Sequence, residues 1–240
     1  MSITTPDRPV SAANSDQRVL VAASEQEVVV SRYTGVQRVN HWITALLFTL
    51  LGLSGLALFS PYLFFLTGLF GGGQSTRAVH PWFGVALMLS FAVLFVRFWR
   101  LNMPNRDDIT WMLHIGDIVR NRHDRLPAIG KYNAGQKGVF WSQTALILVM
   151  FLSGLVIWDQ YFFTYTGIEQ KRYALLTHSL AAIAAMAIIL VHIYAGLWIR
   201  GTSRAMIRGS VTGGWARRHH RKWFKQATLS GDVHRDVGHG

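Results

Sequence analysis

This sequence predicts an all-α integral membrane four-helix bundle with both termini cytoplasmic. Three observations point to that fold class. Half of the 240 residues are hydrophobic, yet the formal net charge is +12. That combination suits a membrane protein with basic loops better than a soluble domain. Four segments reach the roughly 20 apolar residues that a helix needs to cross a hydrocarbon core of about 30 Å. Lysine and arginine, finally, are concentrated in alternate connections between those segments.

Residues 1–30, "MSITTPDRPVSAANSDQRVLVAASEQEVVV", lack the continuous apolar core of a signal peptide and are expected to form a flexible N-terminal extension. Residues 31–200 are expected to form the membrane domain, with spans at about 39–61, 81–99, 138–158 and 173–199. Arg77 is the only basic residue between the first two spans, and Lys171 and Arg172 lie between the last two. The central connection carries Arg97, Arg100, Arg106, Arg120, Arg122, Arg125, Lys131 and Lys137. A basic cytoplasmic tail, 201–240, carries Arg200, Arg204, Arg208, Arg217, Arg218, Arg221, Lys222 and Lys225 at or just before its start and along its length. The positive-inside rule then places the central connection and both ends in the cytoplasm. The tail's charge sits directly against a span end, which favours a membrane anchor over a nucleic-acid patch. No nucleic acid partner is expected.

The chain has no cysteine. Disulfides, cysteine-bound iron–sulfur clusters and covalently attached haem are thereby excluded from it. A redox centre would have to use histidine, methionine or a carboxylate, or belong to a partner.

An internal repeat is visible. "LSGLALF" (Leu53–Phe59) matches "LSGLVIW" (Leu152–Trp158), and His80 and His178 follow the two motif glycines by nearly the same interval. Two helical hairpins of one orientation would set those histidines at equal depth. Gly52, Gly55 and Gly154 would permit close helix approach.

The fourth span contains "THSLAAIAAMAIILVHIY", almost wholly apolar except for His178 and His192. An imidazole is costly in hydrocarbon unless something binds it. Fourteen residues at 100° each fall about 40° short of four turns, so the two share a face about 21 Å apart along the axis. His41 opens the first span on the inner side and His80 opens the second on the outer side. Depth therefore pairs His80 with His178 and His41 with His192. Two facing imidazoles at one depth suit bis-histidine ligation of b-type haem, and two such haems would form an electron path across the membrane. Any one of these histidines taken singly also reads as an interfacial, hydrogen-bonded or pore-lining group. Zinc lacks the carboxylate or thiol that would complete a tetrahedral site. A histidine-containing transporter or channel needs a wet path, and Ala181–Val191 offers no polar side chain. His114 and His123 in the central connection, and His219, His220, His234 and His239 in the tail, read as solvated.

"RVNHW", "HPWFG", "GKYNAGQK" and "HSLAAIAAMAIILVHIYAGLW" together resemble the cytochrome b (gamma) subunit of respiratory membrane-bound formate dehydrogenase, from about Ser31 to Phe224. Hydrogenase cytochrome b subunits, which share the four-helix plan, are the alternative, as is the cytochrome b subunit of another molybdoenzyme. The resemblance implies two non-covalent haem b groups, the outer on His80 and His178 and the inner on His41 and His192. It implies quinone reduction (menaquinone or ubiquinone) beside the inner haem at Asn133, Gly135, Gln136 and His192. It also implies two partners, an iron–sulfur beta subunit and a molybdenum- or tungsten-containing alpha subunit that oxidises formate. Asn133 and Gln136 suit a quinone carbonyl, and Gly135 permits close backbone approach. The same residues also read as an ordinary helix start. Arg38, Arg77 and Arg172 fit haem propionates and membrane-edge anchoring equally well. Small-residue faces would allow a higher oligomer. The sequence departs from the family at its ends, with a longer N-terminal extension and no acidic C-terminal tail.

Overall fold

The computed structural model describes residues 28–119 and 127–235. Among them, four helices are long and apolar enough to cross a membrane. Strand β1 (Val28–Ser31) leads into α1 (Gly35–Phe59), and a 3-10 helix (Pro61–Phe70) links α1 to α2 (Gly73–Phe98). The turn between them passes through Gly71 and Gly72 at φ 83° and 99°, a region in which only glycine is unstrained. A 3-10 turn (Trp99–Asn102) and the short helices α3 (Arg106–Leu113) and α4 (Ile115–Val119) follow. The remaining spans are α5 (Ala134–Ile157) and α7 (Ile168–Trp198), joined through α6 (Asp159–Phe162) and a 3-10 turn (Phe163–Tyr165). The chain continues through α8 (Thr202–Arg208), β2 (Ser210–Thr212), α9 (Gly213–His219), α10 (Arg221–Ser230) and β3 (Val233–Arg235).

Two of the spans, α1 and α5, begin with a polar turn that a side chain caps. Thr34 and Gln37 form a reciprocal capping box at α1, and Asn133 and Gln136 form one at α5. Each such cap contributes about 1 kcal/mol. The second span begins earlier than the sequence suggests. Pro81 was expected to open it but lies inside α2, which starts at Gly73. The turns "GQSTRAVH" are too polar for the hydrocarbon yet remain helical at its edge. Pro81 has no N–H for the Arg77 carbonyl, one turn back.

The most extensive packing pairs α5 with α7 and α1 with α2, so the bundle is built from two hairpins. Polar contacts join each hairpin. Gln143 donates to the buried Ala185 carbonyl at 2.9 Å, and Asn40 donates to the Ser90 carbonyl and hydroxyl at 3.0 Å. Such bonds are worth about 0.6 kcal/mol each in a membrane. The hairpins meet at Leu87, Phe91 and Ile147, which form a small buried cluster.

Both ends of the described chain meet at one end of the bundle. β1 is the central strand of a three-stranded antiparallel sheet, order β2-β1-β3. Val29 pairs with Thr212 on one side and His234 on the other. Val28, Val29 and Val30, expected in a flexible extension, therefore lie in an ordered strand. The residues expected as a basic tail carry helices and strands around a core of Val30, Ala205, Val211, Ala216, Trp223 and Ala227. Gly209 makes this possible. Its φ is +82°, its carbonyl accepts from Arg32 and Tyr33 N–H, and a Cβ there would lie 2.7 Å from the Tyr33 carbonyl oxygen.

The histidines expected to be solvated do not share one environment. His234 is exposed and His114 and His219 are half-buried. His220 is only 2% exposed, because α9 and α10 fold it onto the loop before α5. His123 and His239 lie outside the described residues, as do Arg120, Arg122 and Arg125.

Candidate functional site

The repeat seen in the sequence recurs as a repeated construction. On α1, Ser54 lies 2.7 Å from His80 Nδ1, and on α5, Ser153 lies 3.1 Å from His178 Nδ1. Each serine hydroxyl also donates one turn back along its helix, Ser54 to the Leu50 carbonyl and Ser153 to the Val149 carbonyl, both at 2.7 Å. A hydroxyl has one proton, and that bond uses it. Each serine can then only accept from its histidine, which puts the imidazole proton on Nδ1 and leaves the Nε2 lone pair for a metal. The next residue is glycine in both copies. A Cβ on Gly55 would lie 3.4 Å from His80 Cε1, and one on Gly154 3.5 Å from His178 Cε1.

The structure brings His80 and His178 together, with ring centroids 6.3 Å apart. Two imidazoles bonded to one metal at about 2 Å, with about 1.1 Å from nitrogen to ring centre, require a separation of about 6 Å. The rings border a cavity of about 740 Å³ between the hairpins, lined also by Gly52, Gly84, Ala182 and Met186. Its walls are largely apolar and its size lies within the range of cofactor pockets. These residues fit a flat macrocycle, which the two imidazoles would hold. Arg77 and Gln74 stand at the rim. Of the other two arginines considered for propionates, Arg172 pairs with the exposed Glu169 at 3.2 Å, and Arg38 donates to the Ile207 carbonyl.

The pair expected on the inner side, His41 and His192, is built differently. His41 stacks edge-on against Trp42 at 5.4 Å, and its buried Nδ1 has no hydrogen-bond partner among the described residues. His192 is exposed on α7. α1 and α7 pack only lightly. The orphaned nitrogen and the open flank fit residues that a further group would complete.

Asn133 and Gln136 occupy the start of α5. The Asn133 side-chain oxygen accepts from Gln136 N–H at 2.9 Å, and the Gln136 side-chain oxygen accepts from Asn133 N–H at 3.1 Å. Capping uses both oxygens and leaves both NH₂ groups available to donate. Gly135 is exposed, and a Cβ there would lie 3.1 Å from the Trp111 ring. Beneath it, Lys137 and Asp108 form a buried ion pair at 2.7 Å. Sequence reasoning missed Ser54 and Ser153, although both stand in the repeated "LSGL". It also missed the Asp108–Lys137 pair, which joins residues 29 apart.

A family model described as prokaryotic cytochrome b561 matches residues 32–209. The chain belongs to the prokaryotic cytochrome b561 family. This cytochrome b is 43% identical over 197 residues to a formate dehydrogenase cytochrome b556(fdo) subunit of Escherichia coli, covering 82% of the chain and 92% of the relative. The nitrate-inducible b556(Fdn) subunit of the same organism is 38% identical over 203 residues, covering 85% and 93%. A formate dehydrogenase cytochrome b556 subunit of Haemophilus influenzae is 33% identical over 201 residues, covering 84% of each chain. Membership implies haem b, and with four apolar helices it marks a bacterial membrane protein.

The two serines carry a first prediction. Ser54→Ala or Ser153→Ala in this cytochrome b should weaken haem retention by about 10- to 100-fold, the usual cost of losing a partner of a metal-bound histidine. Haem titration into the stripped protein, followed at the Soret band, checks it. Unchanged retention in both variants would show that the hydroxyls do not orient the ligands.

Proposed function

We propose that this cytochrome b is the membrane subunit of a formate dehydrogenase complex. It takes electrons from a partner iron–sulfur subunit on the outer side, delivers them to quinone on the inner side, and anchors the catalytic subunits. The observation that supports this best is the doubled serine–glycine–histidine construction around one cavity. Bound haem b supplies one-electron transfer with no position open to dioxygen. His80 and His178 would hold the outer haem, with Arg77 at the cavity rim near its acidic groups. His41 and His192 would hold the inner one. The lone Arg77 between the first two spans and the basic central connection support an orientation with both termini in the cytoplasm.

At the inner side, the Asn133 and Gln136 NH₂ groups would donate to a quinone carbonyl, with Gly135 exposing backbone beside them. Two electrons reduce the quinone, and two protons from the cytoplasm complete the quinol. His192 would border this site.

Substitutions that preserve the cap can test the assignment. Asn133→Asp and Gln136→Glu keep the oxygens of the capping box and remove the donors. Each should raise KM for quinone about ten-fold, the weight of one hydrogen bond to a ligand. Formate-driven reduction of the haems should be unchanged. Purified wild-type complex should show two b-type haems per chain in a reduced-minus-oxidised spectrum. A preparation that keeps its cofactor yet lacks b-type bands would falsify the reading, and co-purifying subunits that accept hydrogen rather than formate would redirect it to a hydrogenase.

A further inference from the structure

The loop before α5 is held by parts of the chain about 90 residues away in each direction, through three successive carbonyls. The Ile129 carbonyl accepts from the backbone N–H of Lys222 at 3.0 Å and of Trp223 at 3.3 Å. The Gly130 carbonyl accepts from His220 Nδ1 at 2.7 Å. The Lys131 carbonyl accepts from Arg32 Nη2. Tyr132 is then buried edge-on against Phe98, and the next residue is Asn133.

These donors are unusual for a surface cap. Arg32 is 4% exposed, and its guanidinium lies 4.8–5.8 Å from the rings of Tyr33, Tyr132, Trp215 and Trp223. Among the described residues it forms no ion pair with a carboxylate. A buried cation without a counter-charge is costly, and aromatic faces with one carbonyl offset only part of that cost. Burial, and then the nearby Arg32 charge, push the His220 pKa down to about 3. The ring is neutral at working pH and can present an Nδ1 proton to Gly130.

We propose that the cap formed by β1, α9 and α10 is a clamp that positions the quinone-binding loop, with Arg32 and His220 as its positioning residues. The inference rests on the quinone reading of Asn133 and Gln136. A site that works by donor placement tolerates only small errors in those donors. The three fixed carbonyls end two residues before Asn133, so they set the point from which α5 starts. The two ends of the described chain thereby serve the site without touching its ligand.

The test uses the assembled complex and a water-soluble quinone. His220→Leu removes the donor, whereas His220→Asn keeps one near the position of Nδ1. His220→Leu should raise KM for quinone about ten-fold with formate-driven haem reduction intact, and His220→Asn should stay within about two-fold of wild type. Arg32→Met should resemble His220→Leu. If His220→Leu leaves KM unchanged while Asn133→Asp and Gln136→Glu raise it, the clamp is wrong and the quinone site stands. If none of these variants moves KM, the quinone reading falls and the clamp with it. Should the variants not assemble, the wild-type complex suffices. Saturation with a tight quinone analogue should slow backbone hydrogen exchange in both 131–137 and 218–224. Slowing confined to the loop overturns the proposal.

Discussion

His178→Ala, and equally His80→Ala, should reduce formate-driven quinone reduction by two orders of magnitude or more and remove one of the two b-type haem signals. Loss of the partner serine is expected to cost about 10- to 100-fold in retention, and loss of the ligand itself must cost at least as much. The remaining imidazole would still have its serine, Ser54 for His80 or Ser153 for His178. The cavity would still be present, lined by glycine, alanine and apolar side chains. The loss is therefore expected to be local, leaving the inner haem and the membrane assembly intact. Optical redox titration and formate:quinone assays check both halves. Undiminished quinone reduction in both variants would remove His80 and His178 from the electron path.

Lys137→Met should be strongly destabilising. Lys137 and Asp108 side chains are 7% and 10% exposed and meet at 2.7 Å. The same Asp108 oxygen accepts from Asn105 N–H at 2.7 Å, while its other oxygen is buried without a hydrogen-bond partner among the described residues. Removing the lysine leaves a buried carboxylate with no counter-charge, a change that costs about 3–5 kcal/mol. Lys137→Met combined with Asp108→Asn removes both charges and keeps a capping oxygen at the start of α3. It should recover most of the loss. Thermal unfolding of the detergent-solubilised complex would show this as a double variant more stable than the single one. A single variant no worse than the double would mean the charges are not paired when the protein works. The pair also fixes α3 against α5 beside Trp111 and Gly135, so the single variant should loosen the loop as well.

Much of the candidate site could be read locally. The fourteen-residue interval put His178 and His192 on one face because a helix has a fixed pitch, and the repeated "LSGL" marked two equivalent hairpins. Ser54 and Ser153 were equally readable, since they precede the two glycines already singled out. Pro81 was misplaced because hydropathy ends where the lipid ends, whereas a helix does not. Asn133 and Gln136 were recognised with two competing roles, and the structure shows one of them, the helix cap. Oxygens cap the helix and NH₂ groups stay available.

Alone, the sequence determined what depends on neighbours along the chain: which segments are apolar enough to span, how the charges between them are distributed, and which histidines share a helix face. Only the tertiary structure decided what depends on distant partners. Val29 found Thr212 and His234, and Arg32 and His220 closed on consecutive carbonyls before α5. The physical reason is range. Hydropathy and helical pitch act between residues a few positions apart, whereas a strand pairing or a buried donor is specified only once the folded spans bring the two ends of the described chain together.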